Sequence, residues 1–95
     1  MFPVHPGGTL RDELEARALT IQTIARSIGV SVGRIADIVH ERRAISPDTA
    51  LRLGRFFGNG PDFWIGLQAQ YDVAKTRKAL GKRLDREVRP LSRAA

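Results

Sequence analysis

Two helical patterns stand almost back to back in this chain. Ile21, Ile24, Ala25 and Ile28 recur at three- and four-residue steps, and Ile35, Ile38 and Val39 do the same a little further on. That spacing puts each set on one face of a helix. Thr20 precedes the first set and Ser31 the second; the hydroxyls of both residue types cap helix starts. The link is Ile28-Gly29-Val30-Ser31, with glycine where the first helix must stop. Two helices joined by so short a turn form a helix-turn-helix.

The flanking sequence is punctuated in the same way. A first helix is expected from Pro6-Gly7-Gly8-Thr9 to about Arg17, with Leu10 and Leu14 sharing a face. A fourth begins at Ser46, a cap, with Pro47 at the first helical position and Asp48 in the first turn. Ala50, Leu51, Leu53, Phe56 and Phe57 are its expected apolar face, and Gly58 ends it. A fifth follows Asn59-Gly60, opens with Pro61 and Asp62, carries Phe63, Trp64, Leu67 and Tyr71 at helical steps, and runs towards Leu80 and Gly81. No alternating apolar–polar run bounded by turn dipeptides is present, so no strand is expected. The predicted fold class is all-α, a five-helix orthogonal bundle containing a helix-turn-helix. At 95 residues the chain is one domain, residues 1–81, followed by a loose basic tail at 82–95. A chain this short buries only part of its surface, and support from a partner is expected.

The formal net charge is +6, which favours polyanionic partners. There is no cysteine, hence no disulfide, thiolate metal site or redox pair. No apolar run reaches the ~20 residues of a membrane span, and Met1-Phe2-Pro3-Val4-His5-Pro6 lacks the features of a signal peptide. A cytoplasmic protein away from membranes is the expectation. Catalysis is not expected. His5 and His40, the two histidines, have no ligand-spaced partners, and Gly7-Gly8 lacks the Lys-Ser/Thr ending of a phosphate loop. Asp12, Glu13 and Glu15 suit a helix N-terminal half, and Glu13 can pair with Arg17 four residues on. No cofactor or metal is expected.

With the isoleucines pinned inward, Ser31, Val32, Gly33, Arg34 and Asp37 face outward at the start of the third helix. In a helix-turn-helix this is the part that enters the major groove. Arg34 can donate twice to guanine O6 and N7, Val32 can touch a thymine methyl, and Ser31 can donate to a phosphate or base edge. Asp37 can accept from cytosine N4 or orient Arg34. Gly33 costs the helix ~1 kcal/mol relative to alanine, and it admits a close backbone approach. Thr20, Gln22 and Thr23, at the start of the second helix, suit a phosphate. Arg42 and Arg43 suit one on the far side. For Thr20 and Ser31 a purely capping role is equally open, and Arg42 and Arg43 also read as a solvated pair at a helix end.

The run from His5-Pro6-Gly7 to Tyr71-Asp72 resembles the HigA-type (VapI-like) antitoxins of the Cro/C1, lambda repressor-like helix-turn-helix class. The matching pieces are His5-Pro6-Gly7-Gly8-x-Leu10, Arg34-Ile35-x2-Ile38 and Ile45-Ser46-Pro47-Asp48-Thr49-Ala50-Leu51-Arg52-Leu53. The most specific is Phe57-Gly58-x2-Pro61-x-Phe63-Trp64-x2-Leu67-Gln68-x2-Tyr71-Asp72. The resemblance implies a homodimer that binds the operator of its own operon and represses it. It also implies neutralisation of a cognate RelE/HigB-like mRNA-cleaving toxin. It places the dimer interface on the helix around Phe63, Trp64, Leu67 and Tyr71, although an aromatic stripe at helical spacing also reads as core; one aromatic inward and another at the interface is the expectation. Where the family often has Gly-Lys-Arg after the recognition helix, this chain has Glu41-Arg42-Arg43.

Two other readings stay open. One is a stand-alone phage-type repressor without a toxin. The other is a protein-interaction module that binds no DNA. The N-terminal segment before Thr9 and the first helix are the expected toxin-facing surface, because a basic tail repels a basic toxin.

Overall fold

The computed structural model describes residues 3–92, and among them only helices and turns occur. The order is α1 (Pro6–Ala16), α2 (Ile21–Ile28), α3 (Val32–Val39), α4 (Pro47–Phe57), α5 (Pro61–Leu80) and α6 (Arg83–Glu87). The first five match the expected bundle. The sixth corrects the reading of residues 82–95 as loose throughout, since Arg83–Glu87 close one more helical turn, stapled by Arg83 to Glu87 at 3.1 Å. Positions 93–95 of that tail lie outside the described residues.

The punctuation works as read. Thr20, Ser31 and Ser46 each accept, through the side-chain hydroxyl, the N–H three residues on, at 3.0, 3.1 and 3.2 Å. Gly29 and Gly58 close α2 and α4 with φ of 74° and 79°. The cap of α1 is His5, whose Nδ1 accepts from the Gly7 N–H at 2.9 Å. His5 is buried and meets the Tyr71 ring edge-on at 4.9 Å, tying α1 to α5.

Leu10, Leu14, Ile24, Ala25, Ile28, Ile35, Ile38, Val39, Ile45, Ala50, Leu53 and Trp64 form one core. In α4 the buried set is Thr49, Ala50, Leu53 and Gly54, backed by Phe57. Leu51 and Phe56 fall off that face and are exposed, contrary to the expected stripe, because each is one 100° step from it. Backbones touch closely at two glycines. A Cβ on Gly7 would sit 2.0 Å from the Ile38 carbonyl oxygen, and one on Gly54 2.3 Å from the Gly60 carbonyl carbon. These contacts set α1 against α3 and α4 against the start of α5.

Trp64 is 0% exposed, and its Nε1 donates to Asn59 Oδ1 at 3.0 Å. It is a core residue, which removes it from the expected dimer surface. Leu67 and Tyr71 are half-buried, and Phe63 keeps 42% of its surface exposed. No helix among the described residues is long and apolar enough to cross a membrane.

Candidate nucleic-acid interface

The turn between α2 and α3 holds its shape through its caps and through one arginine from α4. Arg52 Nη1 donates to the Ile28 carbonyl at 2.8 Å and approaches that of Gly29 at 3.4 Å. Its Nε donates to Asp48 at 2.8 Å. Asp48 also receives Arg34 Nη1 at 3.0 Å, with Thr49 Oγ1 beside it at 3.5 Å. One carboxylate thus joins the recognition helix α3 to α4 and, through Arg52, to the turn. The Arg52 hydrogen bond holds the Asp48 carboxyl below its ordinary value; partial desolvation opposes this and the Arg34 hydrogen bond adds to it.

Val32 and Gly33 lie open at the first turn of α3. Val32 is 45% exposed, and a Cβ on Gly33 would meet nothing within 4 Å. Ser31, Thr20, Gln22 and Thr23 are exposed. Thr20 and Ser31 spend one hydroxyl lone pair on the cap, and Thr20 also donates to Thr23 Oγ1 at 2.9 Å.

Asp37 does not orient Arg34. It takes Arg42 at 3.1 Å and Arg43 at 3.6 Å, at the C-terminal end of α3, and the residue that orients Arg34 is Asp48. The turn after α3 keeps the conformation that favours glycine although Glu41 occupies it. Glu41 has φ 63°; its N–H donates to the Ile38 carbonyl at 3.0 Å, and that of Arg42 to Asp37 at 2.7 Å. That pair of bonds is a Schellman ending, so the missing glycine changes strain and leaves the path of the chain intact.

Three contributors escape a reading of the helix-turn-helix alone. Asp48 and Arg52 stand four apart on α4, a visible ion-pair spacing, but their reach to Arg34 and Ile28 spans 14 and 24 residues. Gln68 is the third. Its Oε1 accepts the Ile45 N–H at 2.7 Å and its Nε2 donates to Asp72 at 3.0 Å, so it clasps the α3–α4 loop to α5. Among the described residues no group of acids and histidines is arranged to hold a metal ion.

Comparison with known proteins agrees with this geometry. The Helix-turn-helix family matches residues 10–64. Virulence-associated protein I of Dichelobacter nodosus is 44% identical over 74 residues, 77% of this chain and 68% of that protein. An addiction module antidote protein of the HigA family from Coxiella burnetii superposes with a TM-score of 0.91 at 38% identity, covering 96% of this chain and all of that one. Pseudomonas aeruginosa antitoxin HigA with the higBA promoter superposes at 0.88 and 43% identity, covering 95% of this chain and 99% of that one. The chain belongs to the Cro/C1-type helix-turn-helix family, in its HigA (VapI-like) antitoxin group.

Proposed function

We propose that this chain is a dimeric antitoxin that binds the operator of its own operon, represses it, and neutralises a RelE/HigB-like mRNA-cleaving toxin. The carrying observation is its likeness, along 95% of its length at 43% identity, to the Pseudomonas aeruginosa antitoxin HigA with the higBA promoter. On this reading α3 enters the major groove by its first turn. Ser31, Val32, Gly33, Arg34 and Asp37 face base edges, and Thr20, Gln22, Thr23, Arg42 and Arg43 face phosphates. The exposed Val32 and the open space over Gly33 support it. Arg34 engages Asp48 and Thr49 through Nη1 alone, which leaves Nη2 and Nε to reach a base.

The dimer uses α5, where Phe63 and Val73 leave apolar surface and Leu67 and Tyr71 are partly covered. Two recognition helices would then stand ~34 Å apart, one helical turn of DNA. The N-terminal segment and α1 take the toxin.

The test is a titration of the protein against a duplex carrying its own upstream promoter and against a scrambled duplex, at two salt concentrations. The expected result is a preference of ~10³-fold or more for the promoter, falling steeply with salt. Equal, weak binding to both would replace this reading with the interaction module, which the engagement of Arg34 by Asp48 favours.

A further inference from the structure

The chain's net positive charge resides in its C-terminal segment. Residues 1–74 carry eight basic and eight acidic side chains, and residues 75–95 carry eight basic and two acidic ones, which account for the whole net charge of +6. Most arginines of the neutral body are moreover engaged. Arg11 pairs with Glu41, Arg17 with Glu13, Arg34 and Arg52 with Asp48, and Arg42 and Arg43 with Asp37.

The segment from Lys75 onward is the reverse. The second half of α5 leaves the bundle, and α6, which buries no residue, follows it after Gly81 and Lys82. The molecule is consequently 55 Å long and only 21–24 Å across. Lys75 Nζ lies 5.6 Å from the Tyr71 ring centroid, and Arg83 pairs with Glu87. The side chains of Arg77, Lys82, Arg86 and Arg89 are exposed and have no hydrogen-bond or ion-pair partner among the described residues.

Long-range attraction to DNA scales with uncompensated charge, and a neutral body supplies little of it. We propose that the arm from Lys75 to Arg89 is a second DNA-binding element, distinct from the α2–α3 surface. It grips the phosphodiester backbone of duplex DNA without reading sequence. No aromatic residue follows Tyr71, whereas protein interfaces are anchored by aromatic residues in buried pockets; the exposed large apolar side chains from Lys75 onward are the aliphatic Leu84, Val88 and Leu91. The charges spread over two helical segments and the extended chain after Val88, an arrangement that suits a repeating line of phosphates.

The proposal rests on the DNA-binding reading above, and its test separates the two. Full-length wild type is compared with a variant carrying Arg77→Gln, Lys82→Gln, Arg86→Gln and Arg89→Gln. A second variant carries Arg77→Lys, Arg86→Lys and Arg89→Lys. Each is titrated against a random-sequence duplex and against the promoter duplex between about 50 and 200 mM salt. The glutamine variant is expected to lower the slope of log affinity against log salt by ~0.9 for each phosphate it no longer neutralises, up to about 3.6 for four. Its affinity for random duplex at low salt should drop about tenfold or more. Its promoter-to-random preference should stay or rise. The lysine variant should behave as wild type, because backbone attraction needs charge rather than guanidinium geometry. An unchanged slope and affinity in the glutamine variant would overturn the proposal and point to an acidic protein as the arm's partner. So would a lysine variant as impaired as the glutamine one. If wild type fails to distinguish the two duplexes, the operator reading falls, and the random-duplex slope still decides the arm.

Discussion

Asp48 sits between two arginines and decides how freely Arg34 moves. Asp48→Asn keeps the shape and removes the charge. It is expected to raise affinity for random duplex and steepen its salt dependence by about one unit of slope, because Arg34 is released and an anion is removed from beside the DNA. A salt titration measures this. The same carboxylate gives a pH signature. Its value in the folded protein lies below the ordinary one, so the ionised form stabilises the fold above the unfolded value and that contribution disappears as pH falls through the folded one. The difference in melting temperature between wild type and Asp48→Asn should therefore be present at pH 7 and close below about pH 4. Two non-glycine residues, Ala18 and Glu41, hold φ of 53° and 63° at helix ends. Ala18→Gly should stabilise by roughly 0.5–1 kcal/mol in urea denaturation, by relieving the left-handed strain. At this scale the sequence was legible where chemistry is local. Thr20, Ser31 and Ser46 read as caps and are caps. His5 did not read as one, because its role depends on burial against Tyr71, a residue from the far end of the domain.

Helices α1 to α5 were legible because each begins and ends on a residue with a mechanical reason to be there. The unread parts come from contacts across elements. Leu51 and Phe56 look apolar in sequence, yet lie outside on α4, whose inner face is chosen by where Gly54 touches the backbone of Gly60 and Pro61. Gly54→Ala should therefore separate α4 from α5 and destabilise by about 1–3 kcal/mol or more, read as a lower urea midpoint at unchanged slope. Gly8→Ala is the control. A Cβ there meets nothing within 4 Å, so the loss should be absent. The α5 stripe illustrates the limit of periodicity. Phe63 and Trp64 are adjacent, so a helix cannot bury both equally, and only the fold shows that Trp64 takes the interior.

For the molecule as a whole, the net charge was plain from the sequence and its meaning was not. A surplus of basic residues pointed to a polyanionic partner, but arginines of the helical body find carboxylates up to 30 residues away, as Arg11 does with Glu41. Those pairings exist only in the folded chain. The small core and the partly uncovered α5 bear on stability too. A chain of this size gains stability from association, so the melting temperature should climb by several degrees when concentration is raised about a hundredfold. Scanning calorimetry at two concentrations would show it, and a concentration-independent transition would count against the dimer.

The single tryptophan has an optical consequence. Trp64 is sealed between Phe57 and Phe63, at 5.6 and 5.1 Å, with its indole N–H held by Asn59. Its emission must be that of a dry indole, and it shifts to the red only when water enters between α4 and α5. Movements of the α2–α3 turn or of the far end of α5 leave that joint untouched. They will be invisible to tryptophan fluorescence, and seeing them requires a dye placed on those segments.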